Sequence, residues 1–296
     1  MSTDGFIFDR VTFIGIGLIG SSLARSVRKT KTARHIVVCD INKAHRDQSL
    51  ELGIADEITG DFLEAVQDAD LVVICTPPGA CGDAAAAFAP GLKEGAIVTD
   101  VGSVKQTIIH DVSQHLPSGV HFVPAHPIAG TEHSGPKAGF AELFEGRWLI
   151  ITPPAGTDED AIAKVREMWE RAGSNIEFMD AQHHDMVLAI TSHLPHLIAY
   201  TIVGTADDLG DHLKKEVIKF SASGFRDFTR IAASDPVMWR DVFLNNKEAV
   251  LEILQRFSED LTFLQRAIRW GEGDKLEELF TRTRKIRREV VEANQD

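Results

Sequence analysis

The motif GIGLIG at residues 15–20 is the feature that most constrains the fold of this chain. It ends a short apolar run, VTFIGIG at residues 11–17, which predicts a buried strand. It also opens a stretch at residues 20–29 with helical periodicity. Glycines at this spacing permit a tight turn and close packing of the strand against the helix. The chain therefore begins with a strand–turn–helix unit.

Short apolar runs alternate with helical patterns as far as residue 179. The runs that predict strands are HIVVCD, LVVICT, AIVTDV, HFVPAH and RWLIITP. Helices are predicted between them, including one at 42–52 that is closed by Gly53 and one at 161–172. Buried β-branched runs separated by helices are typical of a parallel sheet covered on both faces. We predict a doubly wound α/β domain over residues 1–179.

The strand signal ends near residue 180. Asp180 is a good N-cap for the apolar stretch that follows, and amphipathic stretches continue to Glu292, with a break at residues 271–273. We predict an all-helical second domain over residues 180–296, with enough apolar side chains for a dimer core.

Charge and cysteine usage exclude several functional classes. The 296 residues carry 31 Lys and Arg against 44 Asp and Glu, a net charge of −13, which argues against a nucleic-acid partner. The three cysteines form no CxxC pair, and the N-terminus lacks the basic and apolar regions of a secretion signal. No run approaches the ~18 consecutive apolar residues of a membrane span. We expect a soluble cytoplasmic protein with no membrane partner.

The context of the glycine motif predicts a dinucleotide site. Asp40 lies 20 residues beyond Gly20, at the end of the next predicted strand. A carboxylate there accepts from ribose hydroxyls and repels a 2′-phosphate, which favours NAD over NADP; the alternative is a solvated strand-end carboxylate. Helix N–H groups would bind the phosphates. The expected cofactor-binding residues are Gly15, Gly17, Leu18, Ile19, Gly20, Asp40, Thr76 and Pro77.

Two residues after later strands are candidates for catalysis. Ser103 follows the run AIVTDV and forms S-x-x-Q with Gln106, so it either caps the next helix or also faces the nicotinamide. His126 ends the run HFVPAH, on the sheet edge that carries Ser103 and the glycine turn. Imidazole suits proton removal near neutral pH. If His126 is the base, the rate should fall on acidification through about pH 6.5, the ordinary histidine pKa.

The helical half contains a histidine pair and an arginine pair. His193 and His196, in SHLPH, share a helix face, and Pro195 should kink that helix. No clear third ligand accompanies the pair, so we expect no metal; His183 and His184 are interpreted as polar residues of the first turn. Arg226 and Arg230 lie in an apolar segment, where they either bind substrate carboxylates or pair within the protein, for instance with Asp227 or Asp235.

Together these motifs resemble a known family. In order and spacing, GIGLIG, DVGSVK, HPIAGTEHSG, SHLPH and GFRDFTRIAASDPVMW are similar to the prephenate/arogenate (cyclohexadienyl) dehydrogenases of tyrosine biosynthesis. The resemblance implies a Rossmann domain followed by a helical dimerisation domain, and hence a homodimer. It also implies an NAD-dependent oxidative decarboxylation, of prephenate to 4-hydroxyphenylpyruvate, of arogenate to tyrosine, or of both.

The resemblance also implies roles for individual residues. His126 would take the proton of the substrate's C4 hydroxyl, and Ser103 would hold that hydroxyl in register with the nicotinamide. His196 and Arg230 match positions that bind the substrate's carboxylates. Three further residues lie in the matching motifs and are assigned to substrate binding: His193, Arg226 and Glu132. The chain has no room for an additional regulatory domain, so tyrosine inhibition would act at the active site.

Two other interpretations remain open at this point. A β-hydroxyacid-type dehydrogenase or imine reductase also joins a Rossmann domain to helices. Enzymes of that class resemble one another in placing a catalytic lysine on the first long helix, and residues 180–203 of this chain contain no lysine. A non-catalytic NAD-binding sensor would not need His126 as a base. No motif separates a preference for prephenate from one for arogenate, and we favour prephenate or dual use.

Overall fold

The computed structural model describes residues 5–208, 216, 219–220 and 222–292. The chain divides into two compact units, residues 1–247 and residues 248–296. The first unit carries every candidate site residue named above. The domain boundary near residue 180 stays a prediction.

A six-stranded parallel sheet organises the first unit. Its strands are β1 (Phe8–Ile14), β2 (Ala33–Cys39), β3 (Glu57–Thr59), β4 (Leu71–Ile74), β5 (Ile97–Asp100) and β6 (His121–Val123). The spatial order is β3-β2-β1-β4-β5-β6, with every pair parallel. The order reverses between β1 and β4, and ligands of such sheets bind at the carboxyl ends of the strands at this point. The predicted doubly wound fold is confirmed.

Helices cover both faces of this sheet. They are α1 (Leu18–Lys29), α2 (Lys43–Glu51), α3 (Phe62–Ala65), α4 (Cys81–Phe88), α5 (Gln106–Ser113) and α6 (Glu159–Arg171). One apolar cluster contains Phe13, Leu23 and Trp169, and a second contains Ile74 and Phe88. Because the strands contribute side chains to both clusters, they are buried on both faces. This burial explains why their sequences are continuously apolar.

The run HFVPAH forms two strands rather than the single strand predicted. Pro124 separates β6 from β7 (Ala125–Pro127), because proline has no N–H to donate within a strand ladder. β7 pairs antiparallel with β8 (Trp148–Ile151), and β8 pairs parallel with β9 (Asn175–Phe178), which makes a separate three-stranded sheet. His126 therefore lies on the small sheet and not at a strand end of the main sheet, contrary to expectation.

After Phe178 every regular element in the described residues is a helix. In the first unit these are α7 (Ala181–Leu188), a π-helical turn (Ala189–His193), α8 (Leu194–Asp207), α9 (Ser223–Thr229) and α10 (Pro236–Asn245). Asp180 caps α7 by accepting from the His183 N–H at 2.8 Å, as predicted. A π-helical turn ends just before Pro195, and the kink expected at that proline stays a prediction.

The run from Ala181 to Asp207 is long and apolar enough to cross a membrane on length and composition alone, with a mean hydropathy of 1.5. In this structure the run is part of the first unit, where buried His184, Asp185 and His193 make hydrogen bonds. A core helix of a soluble protein meets the same criteria.

The second unit is built from two helices, α11 (Lys247–Trp270) and α12 (Gly273–Glu292). The predicted break falls between them, where Gly271 has a φ of +68°. Such a backbone angle is readily adopted by glycine and ends the first helix.

Candidate active site

The glycine turn leaves an open cradle at the start of α1. A Cβ on Gly15, whose φ is +89°, would lie 3.0 Å from the Cys75 carbonyl, and a Cβ on Gly20 would lie 2.6 Å from the Gly15 oxygen. These two glycines are needed so that β1, α1 and the end of β4 can approach one another. Gly17 differs, because a Cβ there would meet no described protein atom within 4 Å. The space beside Gly17 fits a group that comes from outside the chain, such as a pyrophosphate.

Asp40 is held firmly beside this cradle. Its carboxylate accepts from the Ile16 N–H at 3.0 Å and from the Asn42 N–H at 2.7 Å, and His45 Nδ1 lies 3.2 Å away. The residue is only 8% exposed, so the alternative of a freely solvated carboxylate is wrong. An oriented carboxylate at the end of β2 suits the hydroxyls of a dinucleotide ribose.

The other cofactor candidates surround the same turn. Leu18 and Ile19 are half-buried in the first turn of α1. Thr76 and Pro77 directly follow β4, the neighbour of β1 in the sheet, with Thr76 half-buried and Pro77 exposed. The structure thus brings all eight predicted positions to the carboxyl ends of β1, β2 and β4.

Ser103 does not form the predicted capping box. Helix α5 begins at Gln106, and its first N–H groups are capped by Asp185 from α7: the Lys105 N–H donates at 2.7 Å and the Gln106 N–H at 2.9 Å. A carboxylate supplied from another element has taken the place of the local serine. The hydroxyl of Ser103, half-buried, makes no hydrogen bond to a described residue and is available to a ligand.

His126 is the first member of a buried chain of polar side chains. Its Nδ1 lies 2.8 Å from His184 Nε2, and His184 Nδ1 lies 2.8 Å from Asp185 Oδ1. The two rings meet edge to face with their centroids 5.1 Å apart. His126 Nε2 makes no hydrogen bond to a described residue. His126 therefore has one nitrogen occupied by the protein and one available.

His184 has a different environment from His183, although both were interpreted as polar residues of the first turn. His184 and Asp185 are fully buried, whereas His183 beside them is exposed. The sequence held a weak signal, since Leu188 follows His184 at a spacing that shares one helix face. A histidine in a polar first turn does not by itself indicate which face will be covered.

A buried ion pair holds β7 against β5. Lys105 is completely buried, and its Nζ donates to the Asp100 carboxylate and to the Ala125 carbonyl, the latter at 2.8 Å. Asp100 also accepts from the Ala125 N–H at 3.3 Å. Because Ala125 precedes His126, this pair fixes the catalytic candidate beside the Ser103 loop. Sequence reasoning did not single out either Lys105 or Asp100 for this role.

Burial controls the protonation of this cluster. Desolvation lowers the pKa of His126 well below its ordinary value, and repulsion from Lys105, and from His184 and His193 when they are protonated, adds to the effect. Burial opposes ionisation of Asp185, but hydrogen bonds from His184 and from two backbone N–H groups outweigh it and hold its pKa below the ordinary value. At neutral pH the cluster therefore pairs a neutral His126 with an ionised Asp185.

The π turn presents His193 and His196 to Trp239. His193 is fully buried, accepts from Asn246 Nδ2 at 3.1 Å, and has a pKa lowered by burial to about 4. The ring of His196 stacks on Trp239 with centroids 3.5 Å apart, and its Nδ1 donates to the Ser192 carbonyl at 2.9 Å. Three metal-ligating side chains do not come together anywhere in the described residues.

The two arginines differ in their surroundings. Arg230 Nη1 donates to Glu132 Oε2 at 3.1 Å, so two residues assigned to substrate binding contact each other. Burial lowers the pKa of His196, and the positive charge of Arg230 adds to this effect. Arg226 is exposed and pairs with Asp227 at 3.4 Å. Of the predicted residues, Arg226 is the one that the structure does not bring to another site candidate.

Two sequence profiles match this chain. The nucleotide-binding domain of prephenate dehydrogenase matches residues 23–178, and the dimerisation domain of prephenate dehydrogenase matches residues 180–282. The chain belongs to the prephenate dehydrogenase family. The resemblance found in the sequence motifs is thereby confirmed.

Individual relatives of this family agree. The cyclohexadienyl dehydrogenase of Zymomonas mobilis is 43% identical over 95% of this chain and 96% of its own length. The crystal structure of prephenate dehydrogenase from A. aeolicus, in complex with hydroxyphenyl propionate and NAD⁺, is 35% identical with a TM-score of 0.87, over 95% of this chain and 98% of that one. Synechocystis arogenate dehydrogenase is 28% identical with a TM-score of 0.78, over 95% and 99%.

Membership in this family settles the class of protein. The chain is an NAD-dependent dehydrogenase of tyrosine biosynthesis, with a Rossmann domain followed by a helical domain. The interpretation as a β-hydroxyacid-type dehydrogenase and that as a non-catalytic sensor are both set aside.

Proposed function

We propose that this enzyme oxidises and decarboxylates prephenate, arogenate or both, with His126 as the general base. The observation that carries the proposal is the state of His126: Nδ1 is bound by His184, and Nε2 makes no hydrogen bond to a described residue. A neutral imidazole with one available nitrogen is suited to accept a proton.

The residues around the glycine turn fit the cofactor. The backbone at Gly15, Gly17 and Gly20 and the start of α1, including Leu18 and Ile19, would hold the pyrophosphate, Asp40 would bind the adenosine ribose, and Thr76 and Pro77 would border the nicotinamide half. When bound, NAD⁺ accepts the hydride that leaves C4 of the ring.

The protein side of the reaction then consists of proton removal and alignment. Ser103 holds the C4 hydroxyl, and His126 Nε2 takes its proton as the hydride leaves. Loss of the ring carboxylate as CO₂ makes the ring aromatic, which drives the reaction. The protein therefore needs to supply a base, orientation and positive charge for an anionic substrate.

Substrate carboxylates would bind at the histidine–arginine cluster. Arg230 is 59% exposed at its side chain and can exchange its contact with Glu132 for a substrate carboxylate. His196 lies on the Trp239 ring at the same site, and His193 supports it from the buried side. Arg226 is assigned a role at the edge of the site only, since its single described partner is Asp227.

The protein is proposed to act as a cytoplasmic homodimer with small-molecule substrates. The matched dimerisation domain supports this, as do large hydrophobic side chains exposed along α11 and α12: Leu251, Leu261, Phe263, Ile268, Trp270 and Phe280. Tyrosine is proposed to inhibit at the active site, in competition with substrate. Tyrosine inhibition that substrate cannot reverse would contradict this part of the proposal.

The deciding experiment is NADH formation by the purified protein, with prephenate and arogenate supplied in parallel. Turnover of either supports the proposed reaction, and the ratio of the two kcat/KM values identifies the preferred substrate. Binding of NAD⁺ with turnover of neither would refute it.

Replacement of the base tests the assignment of His126. His126→Asn should lower kcat by about 10²–10⁴-fold, the usual contribution of a positioned base, while the affinity for NAD⁺ stays unchanged. Cofactor affinity should be unaffected because His126 lies on β7, apart from the glycine turn. Near wild-type turnover in this variant would rule out His126 as the base.

A further inference from the structure

We propose that His184 and Asp185 form a proton relay behind His126, so that the proton taken from the substrate leaves its positive charge on His184, paired with Asp185. This inference rests on the proposed function, because it assumes that His126 is the base. It assigns a function to two residues that lie outside the motifs recognised in the sequence.

The hydrogen bonds define the direction of the relay. Ionised Asp185 only accepts, so His184 Nδ1 is its donor across the 2.8 Å contact. A neutral imidazole has one N–H, which leaves His184 Nε2 as an acceptor. His126 Nδ1 therefore donates to His184 Nε2 at 2.8 Å, and the lone pair of neutral His126 lies on Nε2. This is the tautomer that a base facing the substrate requires.

Proton transfer along this chain balances at every atom. The substrate's O–H bond breaks, and an N–H bond forms at His126 Nε2. The Nδ1–H bond of His126 then breaks as an N–H bond forms at His184 Nε2. His126 ends neutral, and His184 becomes an imidazolium whose Nδ1–H still donates to Asp185. When the product is released the same steps run in reverse toward solvent or product.

The charges that surround the two rings favour this end point. His126 faces His184, Lys105 and His193, and each of these positive or potentially positive groups opposes its protonation. Burial and the charge of Lys105 also oppose protonation of His184, but the carboxylates of Asp185 and Asp100 favour its charged form. The buried charge is thus better accommodated on His184 than on His126, since it gains a direct carboxylate partner.

Asp185 also connects the base to the nicotinamide side of the site. The same carboxylate accepts from the Lys105 and Gln106 N–H groups, which lie 80 and 79 residues earlier in the chain. It therefore fixes both the start of α5, three residues after Ser103, and the orientation of His184. Its backbone carbonyl accepts from Asn246 Nδ2 at 2.8 Å, which anchors α7 on α10. A change at Asp185 should disturb both alignment and charge.

Two variants separate the relay from simple positioning. His184→Gln keeps a side-chain oxygen that can accept from His126 but cannot hold the proton. Asp185→Asn removes the negative charge and replaces one of the two accepting oxygens by an NH2 group. The exposed neighbour gives a matched control, His183→Gln. For each protein we would measure kcat and KM against pH between 4.5 and 9 (about the range in which histidines titrate), together with NAD⁺ affinity and thermal stability.

If the relay operates, both variants lose about 10–10²-fold in kcat with NAD⁺ affinity unchanged, an effect within the usual contribution of general-base catalysis. The acidic limb of the kcat profile should also move to lower pH. The sign follows because the rate requires the His126–His184 pair to be neutral. In wild type an added proton resides on His184 beside Asp185, and in either variant this favourable position is lost, so the remaining groups take up a proton only at lower pH. The control should match wild type in both respects.

An acidic limb that stays at its wild-type pH in folded His184→Gln or Asp185→Asn would overturn the relay, even if kcat falls, because a merely structural residue does not set that limb. His184→Gln decides the question if Asp185→Asn does not fold. His126→Asn distinguishes a failure of the relay from a failure of the proposed base. If that variant is inactive while His184→Gln and Asp185→Asn behave like wild type, the relay fails and the proposed base stands; if it is fully active, the proposed function fails first.

Discussion

Substitution of Gly17 by alanine offers a direct test of the cofactor cradle. In the structure Gly17 has a φ of −70°, which alanine adopts without strain, and an added Cβ would meet no described atom within 4 Å. The free protein should therefore fold with an unchanged Tm. A pyrophosphate bound at the start of α1 would meet the new methyl group, because the glycine is what allows the backbone to approach it.

The expected loss is about 10- to 100-fold in NAD⁺ affinity, or about 1.4–2.7 kcal/mol. Isothermal titration calorimetry with NAD⁺ measures this loss, and a thermal melt in the absence of cofactor shows that the fold is intact. Gly17→Ala with wild-type NAD⁺ affinity would refute the placement of the pyrophosphate. A large drop in the Tm of the free protein would show that the space beside Gly17 is not open.

The matched control is Gly20→Ala, three residues further on. There the Cβ would lie 2.6 Å from the Gly15 oxygen and 3.2 Å from Cys75 Cβ, so backbone or core atoms would have to move. Overpacking of this kind costs about 1–3 kcal/mol of folding free energy. For a unit of this size the Tm should fall by several degrees even without cofactor. Within one motif, substitution of Gly17 is thus predicted to lower the NAD⁺ affinity, and substitution of Gly20 to lower the Tm of the free protein.

Three further predictions concern the other parts of the site. Because burial and neighbouring positive charge lower the pKa of His126, kcat/KM should stay constant as the pH falls through about 6.5 and should decline only at lower pH. This revises the expectation based on the ordinary histidine pKa. A decline in kcat/KM centred at or above about pH 6.5 would contradict the burial argument. Lys105→Met leaves the Asp100 carboxylate buried without its cationic partner and should lower the free energy of unfolding, measured by urea denaturation, by about 3–5 kcal/mol. The control Lys93→Met removes a partly exposed ion pair and should lower the free energy of unfolding by about 0–1 kcal/mol. Equal losses in the two variants would refute this prediction. Arg230→Gln should raise KM by about 10- to 100-fold with a smaller change in kcat, since a carboxylate contact is made equally in ground and transition states; an unchanged KM would mean that Arg230 serves only its glutamate partner.

Much of the fold could be predicted from short stretches of sequence. The glycine turn, the helix that Asn42 caps, the stop at Gly53 and the cap at Asp180 each depend on residues within about one helical turn of one another. Continuous apolar runs likewise indicate strands buried on both faces. Such features survive in the structure because the interactions that produce them are local.

The division of HFVPAH shows where local reasoning ends. The run has the composition of one strand, and only the pairing partners show that the residues before Pro124 join β5 while those after it join β8. The same holds at Ser103, where the sequence predicts a local cap for α5 but the Asp185 carboxylate, from a helix distant in sequence, caps α5 instead. A group that is distant in sequence can cap a helix when tertiary packing places it at the helix end. No short-range sequence pattern predicts that placement.

The sequence by itself determined the order of the elements, the cofactor turn and most of the side chains that carry chemistry, because residue type and spacing suffice for these. Only the tertiary structure decided which of them touch. His126 meets His184 across 58 residues, and Lys105 meets Ala125 across 20. The protonation of the base follows from those contacts, since a histidine's pKa depends on the charges and the solvent around it once the chain is folded.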